Sequence, residues 1–113
     1  MTMTELPASL LRTLPGTYYT DPAIFAAEQE RIFEQMWFCA LRGSDIATAG
    51  AFRTVQVGRE NVLITRNAAG VARAFLNICR HRGATLCADD SGSVKRTFRC
   101  MYHAWAYDLD GKL

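Results

Sequence analysis

Two short stretches each set a cysteine beside a histidine: Cys79 and His81 in CRHRG (residues 79–83), and Cys100 and His103 in CMYHAW (residues 100–105). The chain has no other histidine, and eighteen residues separate His81 from Cys100. Thiolate and neutral imidazole are common protein ligands for transition metals. Carried at the tips of adjacent hairpins, the two stretches would deliver two of each to one small volume.

Three readings fit these residues. In the first, the cysteines are small core hydrophobes with histidines beside them by accident. That suits Cys39, inside an apolar stretch, and Cys87, which has no histidine within ligand reach. For the four motif residues it needs both histidines of the chain to fall beside cysteines by coincidence. The second is structural zinc, which accepts two thiolates and two imidazoles, but zinc sites usually present a cysteine pair and then a histidine pair. The order here is Cys, His, Cys, His. The third is a [2Fe-2S] cluster of the mixed-ligand kind, with cysteines on one iron and histidines on the other. Interleaving suits it, because each loop then supplies one ligand to each iron. Two ferric ions, two sulfides and two thiolates sum to zero charge, whereas four thiolates would leave a dianion, so imidazole makes an electron easier to accept. No coordination position is left open, so such a site moves electrons and does not itself activate oxygen.

The elements around the motifs read as mostly β, an α+β chain with antiparallel strands and one N-terminal helix. Residues 1–19, interrupted by Pro7, Pro15 and Gly16, predict an extended or poorly ordered arm. In TDPAIFAAEQERIFEQMW (20–37), Asp21 can cap a helix and Pro22 suits its first position. Phe25, Ile32, Phe33 and Met36 recur on one face, predicting about four turns docked by that side. MWFCAL, AFRTVQV, NVLITR and VARAFLNI read as strands, with NAAG turning the chain at Gly70 so that Asn61 to Ile78 forms a hairpin. RTFRC and AWAYDL are further strands, and the stretch between the motifs, rich in Gly, Ser and Asp, lacks a strand pattern. The DG turn signal at Asp110 and Gly111 is followed only by Lys112 and Leu113, leaving an edge without a returning strand. On that ground the domain over 38–113 reads as incomplete at its C-terminus, a fragment or truncated product.

NICRHRGATLC followed by RCMYHAWAYDLDGKL resembles the Rieske segment of the large subunits of Rieske non-haem iron oxygenases, the aromatic-ring-hydroxylating dioxygenase family. The likeness reaches back through GRENVLITRN and the helix to about Tyr18. It implies that Cys79 and Cys100 bind one iron of a [2Fe-2S] cluster and His81 and His103 the other. It also implies a mononuclear Fe(II) held by two histidines and a carboxylate in a second domain, which needs two histidines beyond those in this sequence. Electrons would arrive from NAD(P)H through a flavin-containing reductase, sometimes with a ferredoxin between. The full-length subunit would form a homotrimer that oxidises a small organic molecule. The N-terminal segment is similar to that of oxygenases acting on quaternary ammonium compounds such as betaines and carnitine. The alternative of a different class is a free-standing Rieske ferredoxin, which the length permits and the helix opposes.

Met101 stands where the family often has proline, and Ala104 where it often has glycine. The respiratory Rieske proteins add a disulfide between the loops and a serine near the sulfides; Ala84, Tyr102 and Trp105 occupy those places. Their lack predicts a reduction potential on the low side for such a centre.

At 113 residues, half of them hydrophobic and 21% charged, the chain has the composition of one small folded domain or part of a larger one. Its formal charge of +2 is too small to imply nucleic-acid binding. Arg80, Arg82, Arg96 and Arg99, which bracket the motifs, read mainly as local ion-pairing and hydrogen-bonding groups, with a docking patch as the alternative. The N-terminus has no cationic start followed by an apolar run, and no stretch is long and apolar enough to span a bilayer. The cytoplasm is the expected compartment, where paired Cys and His more often mark a metal than a disulfide.

Overall fold

A computed structural model describes residues 12–113. The reading of an extended arm therefore falls largely outside the described residues. Within its described part, Gly16–Tyr19 closes a 3₁₀ turn in which the Tyr18 amide donates to Pro15 at 3.0 Å.

Helix α1 spans Pro22–Glu28. Asp21 caps it by accepting from the Ala23 amide at 2.8 Å, and Pro22 occupies the first turn, where its missing N–H costs nothing. The helix then widens into a π turn over Gln29–Phe33, with Glu34 donating to Gln29 at 3.0 Å. Its apolar side corrects the sequence reading. Phe25, Ile32, Phe33 and Met36 are all exposed, and Trp37 fully so. No described element covers that face; the helix is moored instead by Glu34, whose carboxylate accepts from Arg59 at 2.6 and 2.9 Å.

Strands β1 (Ala51–Val57), β2 (Glu60–Arg66) and β3 (Ala72–Leu76) form an antiparallel meander. The predicted hairpin is present, with Val62 opposite Leu76 and Gly70 at φ +78° in its turn. MWFCAL forms no strand, and none of the described strands pairs with it. Cys39 is consequently exposed rather than in the core.

The fourth strand, β4 (Ser91–Ser93), lies in the stretch that showed no strand pattern. Gly92 sits opposite Phe52 of β1, and a Cβ there would come within 3.0 Å of the Phe52 ring. What selects this strand is the room it leaves for an aromatic ring, not its own hydrophobicity. Strands β5 (Thr97–Arg99) and β6 (Ala106–Asp108) make a separate antiparallel pair with Phe98 opposite Tyr107.

One core joins sheet to hairpin: Phe52, Leu63, Leu86, Phe98, Tyr107 and Leu109 pack together with Cys79 and Cys100. Phe52 and Phe98 meet edge to face at 5.3 Å, an arrangement favoured by the ring quadrupoles. Antiparallel sheets with one N-terminal helix give the α+β class that the sequence predicts.

Candidate metal centre

The two motifs occupy two loops built alike. In the first, which follows β3, the Cys79 amide donates to Ala84 at 2.7 Å and the Gly83 amide returns to Cys79 at 2.9 Å. In the second, between β5 and β6, the Cys100 amide donates to Trp105 at 2.8 Å and the Ala104 amide returns to Cys100 at 3.0 Å. Each loop needs one residue in the left-handed region, Gly83 at φ +72° and Ala104 at φ +63°. Ala104 is the non-glycine residue that adopts positive φ among the described residues.

The first loop is braced from below. Asn77, buried at its base, donates to Asn61 Oδ1 at 2.8 Å and to the Cys87 carbonyl at 2.6 Å, and accepts from the Cys87 amide at 2.8 Å. An isolated bridge between Ile78 and Thr85 closes the neck. Cys87 thus contributes backbone to this brace, and its half-buried thiol is pushed up by burial.

The loops present their cysteines and histidines at two depths. Cys79 and Cys100 are 2% and 3% exposed, as expected of side chains in a core. His81 and His103 are exposed beside each other, ring centroids 4.6 Å apart and nearly perpendicular. Trp105 stacks on His81 at 4.7 Å, and the Tyr102 ring lies 3.9 Å from that of His103. The four residues singled out in the sequence therefore come together as a sulfur pair inside and a nitrogen pair at the surface.

Tyr107, buried on β6, carries no ligand-motif signal and was not anticipated from the sequence. Its hydroxyl lies 3.4 Å from Cys79 Sγ and accepts from the Arg80 amide at 2.9 Å. With its oxygen occupied by that amide, the hydroxyl hydrogen is free to point at the sulfur. This bond is the main reason the Cys79 thiol is held below its ordinary pKa; burial opposes it, and the His81 and Arg82 amides and the Cys100 thiol assist. The Tyr107 phenol is pushed up by the same bond. The only hint in the sequence was a tyrosine two positions beyond the end of the second loop's pattern.

Among the described residues, no group of three or more His, Cys, Asp or Glu side chains converges as a single ion would require. Tetrahedral zinc needs all four ligands about 2 Å from one point. Pairs at two depths, joined to donors aimed at sulfur, fit instead a rhomb of two irons and two sulfides with thiolates on one side and imidazoles on the other.

The arginines correct another expectation. Among the described residues, salt bridges join Arg59 to Glu34 and Arg73 to Asp110. Arg80, Arg82, Arg96 and Arg99 are exposed and their side chains make neither ion pairs nor hydrogen bonds there.

Residues 36–113 match the family model described as the Rieske [2Fe-2S] domain. The glycine betaine monooxygenase oxygenase subunit of Pseudomonas aeruginosa is 41% identical over 101 residues, covering 89% of this chain and 23% of that protein. The biphenyl 2,3-dioxygenase subunit alpha of Rhodococcus jostii is 44% identical over 95 residues, 84% of this chain and 20% of that one. The apo crystal structure of a quaternary ammonium Rieske monooxygenase superposes with a TM-score of 0.80 at 42% identity, covering 89% of this chain and 29% of that chain. The chain thus spans about a quarter of the length of these relatives.

Proposed function

Because the chain belongs to the family of Rieske [2Fe-2S] domains, we propose that Cys79 and Cys100 hold one iron, that His81 and His103 hold the other, and that the domain relays electrons within a Rieske-type oxygenase. The observation that carries this reading is the buried cysteine pair beneath the exposed histidine pair. When bound, the cluster stores one electron at a time.

The chain's own residues set how that electron is held and where it leaves. The Tyr107 hydroxyl lies against the Cys79 sulfur and favours its negative charge, with the backbone at His81 and Arg82 assisting. The core around both cysteines keeps water from the sulfur side. His81 and His103 stand at the surface, so the short path to another redox centre runs through their rings. Trp105 fixes the plane of His81 by stacking against it.

Both histidines of the sequence are used in this arrangement, so the oxygen-activating Fe(II), held by two histidines and a carboxylate, would be carried by residues other than these 113. We assign residues 1–19 to an arm, 20–37 to a helix leading into the domain, and 38–113 to the Rieske domain itself. Matches over 101 residues exceed the 36–113 domain match and so take in this helix, which supports an oxygenase subunit over a free-standing Rieske ferredoxin. Electrons would come from an NAD(P)H-dependent flavin reductase or a ferredoxin, and the whole subunit would assemble as a trimer. A domain that carries electrons touches no substrate, which accounts for comparable identity to relatives named for glycine betaine and for biphenyl. Among the described residues no helix is long and apolar enough to cross a membrane.

The test is an EPR spectrum of the reduced protein together with iron, zinc and labile-sulfide assays. The reading predicts nitrogen hyperfine coupling and equal iron and sulfide. An all-thiolate spectrum, or a colourless protein holding zinc without sulfide, would sink it.

A further inference from the structure

An imidazole that binds a metal through one nitrogen is usually aimed by a hydrogen bond from its other nitrogen to a carboxylate or a carbonyl. Among the described residues neither His81 nor His103 makes such a bond; around the loops the side-chain hydrogen bonds belong to Asn77 and Tyr107. A histidine ring turns about its terminal bond in a broad, roughly two-fold well, so an exposed imidazole left to itself keeps no single direction. His81 is not left to itself. The indole of Trp105 lies face to face with it, centroids 4.7 Å apart and planes 17° from parallel.

The two residues belong to different loops. Among the described residues no backbone hydrogen bond or salt bridge runs between 79–84 and 100–105, and all four cysteines are free, so no disulfide joins the loops. At the surface they meet through rings, with Trp105 flat against His81 and His103 perpendicular to His81 at 4.6 Å. Trp105 is the anchored member of that group. Its side chain is half-buried against the core, and its carbonyl closes the second loop by accepting from the Cys100 amide at 2.8 Å. A ring fixed at its base offers a fixed face, and offset stacking on that face favours one plane for its neighbour. The Tyr102 ring beside His103 differs on both counts: it is 61% exposed, tilted by 42°, and carried by the same loop as the histidine it touches.

We propose that Trp105 is the positioning residue for His81, reaching across from the second loop to do with a ring face what a hydrogen bond does for most metal-bound imidazoles, and that it thereby governs how long the chain keeps its cluster. This role rests on the four-ligand assignment above. The cysteines are buried and the histidines exposed, so the nitrogen side is where a competing chelator must enter. An imidazole kept in plane returns to its iron after each transient break, whereas one free to rotate turns away into water. The two histidines are therefore unequal: His81 depends on Trp105, and His103 does not share its stack.

The test compares two variants of the full, cluster-loaded chain: Trp105→Phe, which keeps a flat ring, and Trp105→Leu, which fills much the same space as phenylalanine without one. Pulsed EPR of the reduced samples reads the nitrogen couplings, and absorbance under excess EDTA follows cluster loss. In Trp105→Leu the coupling of one histidine should shift and broaden while the other stays, and loss should quicken about three- to tenfold, the range that a ring-on-ring contact supports. Trp105→Phe should restore the parent couplings and bring the loss rate to within about twofold of the parent. Parent-like couplings and loss in Trp105→Leu overturn the role. So do equal changes in both couplings, or equal damage in both variants, which would leave Trp105 only a filler of the core. Should Trp105→Leu take up no cluster, Trp105→Phe decides: parent-like behaviour upholds the stack and altered behaviour rejects it. A parent without nitrogen coupling removes the ligand assignment itself; a parent that shows it beside an indifferent Trp105→Leu defeats the positioning role alone.

Discussion

The Tyr107 hydroxyl, 3.4 Å from the sulfur of Cys79 and 2.9 Å from the amide of Arg80, ties the second strand of one hairpin to the loop that follows β3. A hydrogen bond to sulfur favours the more negative, reduced state of a centre bound there. Tyr107→Phe keeps the ring in the core and removes only the hydroxyl. A net hydrogen bond of about 1 kcal/mol corresponds to on the order of 40 mV for one electron, so the variant's potential should fall by that order. Without the inter-loop disulfide and serine of the respiratory proteins, the parent should itself titrate below them. A potential unchanged in Tyr107→Phe would show that the hydroxyl points elsewhere.

Replacing either histidine by cysteine tests the charge argument. His81→Cys or His103→Cys adds a thiolate, so the reduced state gains a further negative charge and the potential should drop by roughly 200 mV or more, toward the all-thiolate range. The nitrogen coupling in the EPR spectrum should weaken in the same samples. A loaded variant whose potential stays with the parent would place that histidine away from the iron.

Legibility in the sequence followed the kind of physics each element depends on. β1 and the β2–β3 hairpin were readable because β-branched and aromatic residues and a turn glycine sit in those very segments. The four candidate ligands were readable because metal chemistry is written in residue type and spacing. β4 was not, since Ser91–Ser93 forms a strand for the sake of the Phe52 ring opposite Gly92. Tyr107 was missed because a single hydroxyl becomes meaningful only once the β5–β6 register delivers it to Cys79. MWFCAL and the apolar side of α1 misled for a shared reason: hydrophobicity states that a surface prefers cover, and the partner that would provide it is not in the local sequence.

Acid should loosen the end of β6. Asp110 accepts from Asn67 Nδ2 at 2.9 Å and from Arg73 at 2.8 Å, pinning its turn to the β2–β3 hairpin. These two hydrogen bonds hold its carboxyl below the usual aspartate pKa, Asn67 contributing most. A folded-state pKa below the unfolded one gives stability that is present above the unfolded value and lost as pH falls through the folded one. Amides of residues 107–111 should therefore lose hydrogen-exchange protection below about pH 4, relative to the rest of the sheet. Asp110→Asn should flatten that dependence, and an identical acid profile in parent and variant would assign the loosening to another group.

The two loops that carry the candidate ligands share a hydrogen-bond pattern but not the residue that closes it, and this gives a prediction of opposite sign for each. Gly83 adopts φ +72° at no steric expense, whereas Ala104 holds φ +63° with its Cβ crowded against the backbone. That conformation costs an alanine roughly 1–2 kcal/mol, partly offset by the greater freedom a glycine loses on folding. Ala104→Gly should therefore stabilise the loaded domain by about 1 kcal/mol, and Gly83→Ala should destabilise it by a similar amount. Because nothing lies within 4 Å of a Cβ placed on Gly83, a loss there reports backbone strain and not a clash. Chemical denaturation followed by cluster absorbance measures both. If Ala104→Gly proves neutral or harmful while Gly83→Ala is tolerated, the left-handed residue is not what closes these loops.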